Sequence, residues 1–253
     1  MSDGESATSD DARGAVRDRD FGAVPDDVTD FAVVGTDTGV GKTVLTAALV
    51  ARLRAAGVDA RGIKPAQTGH PPDDDAAFVA AACGSGDAAT CLERLRPALA
   101  PAVAAERQGV ELSYDRLRSG CVDAIQSADV GVVEGIGGLR VPLAEGREVV
   151  DLVTALDVPT LVVARSGLGT LNHTALTVEA LERRGCRVHG VVLNEWAGDT
   201  VAERTNPEVL AEMVDLPTWT VPPLAFDSPA EAAAAMDAHL PESVIPTADA
   251  HGD

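Results

Sequence analysis

The sequence predicts an α/β fold, an open and mainly parallel sheet with helices on both faces. Three observations carry that prediction. Short β-branched apolar runs alternate with amphipathic helical stretches between residues 30 and 239, the order that βαβ units produce. Apolar residues make up 45% of the 253 residues, enough to fill the core of one sizeable domain. The chemically distinctive residues fall where predicted strands end, and open parallel sheets place their ligand crevices there. Aromatic residues are only 3%, so Ala, Val and Leu must build the core.

The elements follow in order. Residues 1–29 are rich in Asp, Ser, Gly and Arg with little apolar periodicity, and read as a disordered acidic tail. Residues 31–35 read as a buried strand. A glycine-rich turn then opens a helix over 43–56, stopped by Gly57. A strand covers 60–63, after which Pro65 and Gly69 impose a loop. A short helix spans 75–82. Pro97 and Pro101 break the chain before a helix at 114–127. A strand at 130–133 ends at Glu134, and another spans 160–164. A helix over 170–184 stops at Gly185, a strand over 188–193 ends at Asn194, and a last strand at 219–221 precedes Pro222-Pro223. Residues 240–253 read as a flexible tail. One domain, 30–239, therefore lies between two tails.

Charge narrows the function. Asp and Glu outnumber Lys and Arg forty to twenty, giving a net charge of −20. Nucleic acid and anionic membranes need a basic patch, so both are excluded as partners. Only two residues are lysine, against eighteen arginines. An acidic surplus almost without lysine suits a salty cytoplasm, because the Debye length is about 3 Å at about 1 M salt and surface carboxylates then barely repel. Cys83, Cys91, Cys121 and Cys186 have no metal-type spacing, and read as thiols in a reducing compartment. No stretch approaches the roughly 20 apolar residues of a membrane span. A basic-then-apolar secretory leader is also missing from the N-terminus, so the expected location is cytoplasmic.

Both lysines sit in phosphate-like sequence. Lys42 closes Gly35-Thr36-Asp37-Thr38-Gly39-Val40-Gly41-Lys42-Thr43, with Val44 next. The loop follows a strand and opens a helix, the context of a P-loop that binds ATP. Its glycines let backbone N–H groups converge on phosphate oxygens, and the helix N-terminus adds favourable partial charge. Lys42 then meets the β- and γ-phosphates, and the Thr43 hydroxyl faces Mg²⁺. The strict pattern has glycine where Thr36 stands, so the loop is a variant. Lys64 opens Lys64-Pro-Ala-Gln-Thr68-Gly, a second strand-end motif whose cation can stabilise a transferring phosphoryl group. Glu134, in Glu134-Gly-Ile-Gly-Gly138, can hold Mg²⁺ directly or through water. The run Asp73-Asp74-Asp75 offers one more metal ligand, and the other two read as solvated loop. Asn194 either reads a base edge through its amide or serves as a turn residue.

Together these motifs resemble dethiobiotin synthetase, across residues 31–229 in consistent order. The resemblance rests on Gly-Thr-Asp-Thr-Gly-Val-Gly-Lys-Thr, Lys64-Pro-Ala-Gln-Thr-Gly, Val-Glu134-Gly-Ile-Gly-Gly, Gly169-Thr-Leu-Asn-His-Thr and Val-Leu-Asn194. It implies a P-loop NTPase-like fold and a ligase that forms a cyclic urea from 7,8-diaminononanoate and CO₂ with ATP and Mg²⁺. Carried over residue by residue, Lys42 and Lys64 are catalytic. Gly39, Val40, Gly41, Lys42, Thr43 and Val44 cradle phosphate, and Thr43, Asp75 and Glu134 surround Mg²⁺. Thr68 touches substrate or carbamate, and Asn194, Pro222, Pro223 and Leu224 line the adenine pocket. Gly169, Thr170, Leu171 and Asn172 receive the substrate carboxylate from the neighbouring subunit of a homodimer. Pro223 departs from the bulkier residue of the family. The competing readings are a ParA/MinD-like ATPase switch, whose signature lysine is replaced here by Asp37, a related amide synthase, and a regulatory nucleotide-binding domain.

Overall fold

The computed structural model describes residues 21–248. Its centre is a seven-stranded parallel sheet: β1 (Phe31–Gly35), β2 (Ala60–Thr68), β3 (Ala89–Leu95), β4 (Val130–Gly138), β7 (Thr160–Arg165), β8 (Val188–Asn194) and β9 (Thr218–Thr220), in spatial order β3-β2-β4-β1-β7-β8-β9. A two-stranded antiparallel ribbon of β5 (Pro142–Ala144) and β6 (Arg147–Glu148) stands apart. The chain leaves β1 toward β2 on one side, and from β4 crosses to β7 on the other. That reversal opens a crevice at the carboxyl ends of the central strands.

Successive strand residues point to opposite faces, and β1 feeds two cores. Phe31 and Val33 pack under α1 (Lys42–Ala55), α2 (Asp75–Cys83) and α8 (Pro229–Asp237). Ala32 and Val34 pack under α3 (Pro101–Gln108), α4 (Tyr114–Gln126), α5 (Val149–Leu156), α6 (Thr170–Glu182) and α7 (Val201–Val214). Both β1 neighbours, β4 and β7, are parallel to it. A strand covered on both faces needs the continuous apolar run found at Phe31–Val34. The largest fully buried side chains other than Arg52 are Phe31 and a set of Leu and Ile, the aromatic-poor core that composition requires.

Helix α1 is buried on most of its circumference because it lies between the sheet, α2 and α8; Ala47, Ala48 and Ala51 allow the close approach. One of its buried side chains is charged. Arg52 is fully buried, pairs through Nε with Asp237 of α8, and donates to the carbonyls of Asp237, Leu240 and Pro241. The other oxygen of Asp237 accepts from the Gly22 N–H at 2.8 Å. A Cβ on Gly22 would lie 2.8 Å from the guanidinium, so only glycine lets the backbone come this close.

This network corrects the expected tails. Val24 and Val28 pack on the core, Val28 bridges Thr247 in antiparallel fashion, and Val244 and Ile245 are buried. Residues 21–29 and 240–248 thus close the lower edge of the α1 face. Residues 1–20 and 249–253 lie outside the described residues. Another correction concerns Pro65. Strand β2 runs through it to Thr68, paired with β3 as far as Leu95. Its pairing with β4 stops at Ile63, so Pro65 sits where the strand has one neighbour and a missing N–H is tolerated.

Candidate active site

The carboxyl ends of β1, β2, β4 and β8 meet at one cleft of about 1110 Å³. The β1 loop enters α1 through Gly41, whose φ of 103° is left-handed. A Cβ there would fall 2.3 Å from Asn194 Nδ2, so both conformation and space demand glycine. Asn194 in turn donates to the Val40 carbonyl at 3.1 Å. The end of β8 thereby braces the loop, and the Asn194 Oδ1 keeps its capacity to accept.

Two ammonium groups face this loop. Lys42 donates to the Asp37 carbonyl at 2.8 Å. Burial first, then the nearby positive charge of Lys64, pull its pKa down to about 8. Lys64 lies 5% exposed in the middle of β2, where pairing with β4 has just stopped, and contacts Asp75, Glu134 Oε1 at 2.8 Å and the Gly135 carbonyl at 3.2 Å. Burial pulls its pKa down, but Glu134 and Asp75 outweigh that and hold it above the ordinary value. It is therefore an ammonium at neutral pH. Burial pushes Glu134 up against the pull of Lys64. Asp75 also pays for burial, yet Lys64 holds its carboxyl below the usual range.

The Thr43 hydroxyl donates to Glu134 Oε1 at 2.9 Å. Thr43, Asp75 and Glu134 thus present an all-oxygen donor set with two carboxylates, the chemistry that suits Mg²⁺. Among the three consecutive aspartates, only Asp75 meets Lys64. Asp74 instead caps α2 by accepting from the Ala77 N–H and pairs with Arg94 of β3. Asp73 approaches Gly69 in the connecting loop.

The cleft collects Gly39, Gly41, Lys42, Thr43, Val44, Lys64, Thr68, Asp75, Glu134, Asn194 and Leu224 from the sequence-predicted set. Val40 is buried behind the loop, and Pro222 and Pro223 do not line the cleft. Gly169, Thr170, Leu171 and Asn172 form the start of α6 and do not line it. Sequence reasoning missed one wall: Phe78 and Ala81 of α2 face Pro229 and Met236 of α8. The signal existed in Ser228-Pro229-Ala-Glu231, where Ser228 caps α8 and Pro229 begins it. Gln67 was also missed, although it lies inside the Lys64 motif and lines the cleft.

A glycine loop between a central strand and its helix, aimed by neighbouring strand ends at a large cleft, defines a P-loop nucleotide-binding protein, and residues 29–229 match the family described as AAA domain. The fold is shared with a ParA family ATPase from Chlorobium tepidum TLS at TM-score 0.52 and 12% identity, covering 86% of this chain and 91% of that one. At that identity the likeness concerns the fold alone. Sequence is more specific. The chain is 62% identical over 212 residues to the ATP-dependent dethiobiotin synthetase BioD of Haloferax mediterranei, covering 84% of this chain and 91% of that protein. It is 49% identical over 180 residues to the enzyme of the same name from Anaeromyxobacter sp. (strain K), covering 70% and 77%. The chain belongs to the ATP-dependent dethiobiotin synthetase family.

Proposed function

We propose that this chain closes the ureido ring of dethiobiotin from 7,8-diaminononanoate and CO₂, with ATP as phosphoryl donor. The observation that carries the reading is Lys64, a buried ammonium held opposite the P-loop by two carboxylates. A protein that only binds nucleotide has no use for a second such cation. In the reaction, one amine adds to CO₂ to give a carbamate. A carbamate oxygen takes the γ-phosphoryl group and ADP leaves. The second amine attacks the carbamoyl carbon, phosphate departs with that oxygen, and the ring closes with loss of a proton.

Residue roles follow from chemistry. The backbone from Gly39 to Val44 and the α1 N-terminus hold the phosphates. Lys42 and Lys64 stabilise charge on the transferring phosphoryl and carbamate oxygens. The Thr68 hydroxyl holds the carbamate. Asn194, whose amide N–H₂ is committed to Val40, offers its oxygen to the amino edge of adenine beside Pro222, Pro223 and Leu224. Thr43, Asp75 and Glu134 would hold Mg²⁺, which neutralises the β- and γ-phosphate charge when bound.

At the start of α6 the Thr170 N–H is taken by the Gly167 carbonyl, those of Leu171 and Asn172 can meet a carboxylate, and none of these residues lines the chain's own cleft. Leu168 beside it is 96% exposed. Both features support a homodimer in which Gly169, Thr170, Leu171 and Asn172 serve the neighbouring subunit. Unpaired thiols and the net charge of −20 support a reducing cytoplasm of high salt as the working place; no helix among the described residues is long and apolar enough to cross a membrane. The test is phosphate release from MgATP in molar KCl, with and without diaminononanoate and bicarbonate. Turnover that requires both and yields the cyclic urea is expected. ATP hydrolysis indifferent to the diamine would favour a nucleotide switch.

A further inference from the structure

We propose that Gln67 is a positioning residue that fixes Asp75, and through it the affinity of the site for a divalent cation. The inference rests on the reading of Thr43, Asp75 and Glu134 as the metal-facing set. Gln67 is 6% exposed at the end of β2. Its Oε1 accepts from the Asp75 N–H at 3.0 Å, and its Nε2 donates to the Thr68 carbonyl at 2.9 Å. One amide thus ties the end of the strand that carries Lys64 to the first residue of the helix that carries Asp75.

That tie is needed because the covalent route is indirect. Residues 69–74 loop out between β2 and α2, through Pro71 and Pro72. The N–H of Asp75 belongs to the first turn of α2, where no intrahelical acceptor exists. Gln67 supplies that acceptor from the sheet. Among the described residues, two other clamps reach this helix end from the sheet: Lys64 of β2 holds the Asp75 carboxylate, and Arg94 of β3 pairs with Asp74. Arg94 is 39% exposed in its side chain, so salt weakens that pair. The Gln67 bonds are uncharged and part-buried, so salt screens them far less. They leave the Asp75 carboxylate free for Lys64 and for a cation.

The test uses the full chain in molar KCl with a non-hydrolysable ATP analogue, and reads Mn²⁺ binding by electron paramagnetic resonance. Gln67→Met keeps the length and removes both bonds. Mn²⁺ binding should weaken by about tenfold or more, the usual effect of losing a group that orients a metal ligand. In turnover, half-maximal Mg²⁺ should rise while the KM for diaminononanoate stays. Gln67→Glu keeps an acceptor for the Asp75 N–H and should restore much of the Mn²⁺ binding. If Gln67→Met fails to fold, Gln67→Asn, one methylene too short, carries the same expectation. Unchanged Mn²⁺ binding overturns the proposal, as does a raised diamine KM with Mn²⁺ binding intact, which would make Gln67 a substrate contact. Asp75→Asn separates the two readings. If it leaves Mn²⁺ binding untouched, the metal-facing set itself is wrong; if it weakens binding and Gln67→Met does not, only the role of Gln67 falls.

Discussion

Two of the buried cations among the described residues, Arg52 and Lys64, are held differently. Arg52 is locked on every side: one carboxylate and three carbonyls take its fork, and it does not line the cleft. Lys64 has two carboxylates and one carbonyl around a single nitrogen, and it lines the cleft. The fork suits a fixed junction, since its donors are pre-arranged in a plane. The point charge suits chemistry, since an ammonium on a flexible stem can turn from one oxygen to another. The scarcity of lysine in the sequence follows the same division. Arginine carries every structural ion pair among the described residues that does not involve histidine or Lys64.

The sharpest way to break this contrast is to exchange the two kinds of cation. Lys64→Arg should lower the rate of dethiobiotin formation by about 10²–10³-fold, the scale of losing one preorganised charge contact, with ATP binding retained. Near-normal turnover would mean that any cation suffices there. Next in size, Asp237→Ala leaves Arg52 buried without its counter-charge. Removing one partner of a buried pair costs about 3–5 kcal/mol, read from denaturant unfolding in molar KCl. A loss under about 1 kcal/mol, the range of exposed pairs, would show that the junction is wet and dispensable. The smallest effect concerns salt. The unfolding midpoint of the parent chain should rise between dilute buffer and about 1 M KCl, as repulsion among surface carboxylates is screened. The deficit of Asp237→Ala should persist across that range, because a buried pair is screened far less. A flat salt profile would sink the reading of the acidic surface.

Much of the site was legible because phosphate chemistry constrains sequence tightly. Gly39, Gly41, Lys42 and Thr43 fall within five consecutive residues, and Lys64, Glu134 and Asn194 each directly follow an apolar residue of a β-rich run. Asp75 is set apart from Asp73 and Asp74 only by the resemblance, through Asp-Ala-Ala-Phe after the proline-rich loop. What stayed hidden had local signals that pointed elsewhere. Strand β3 is an edge strand whose Glu93 and Arg94 mask its alternation. Helix α7 contains Pro207, which ordinarily argues against a helix interior. Here the carbonyl that Pro207 cannot reach, that of Glu203, accepts the Trp196 indole N–H at 2.6 Å. No sequence rule anticipates a replacement donor from outside the helix. The terminal segments read as polar tails because their few apolar residues, Val24, Val28, Val244 and Ile245, show no period. Their burial depends on Arg52 and Asp237, 185 residues apart.

The bridge between Val28 and Thr247 has a practical consequence. Val28 precedes β1, so the two ends of the described chain meet at the amino edge of the sheet, across its full depth from the phosphate loop. A short linker could join them and a new opening be cut in a surface loop, giving a circularly permuted enzyme with its cleft untouched.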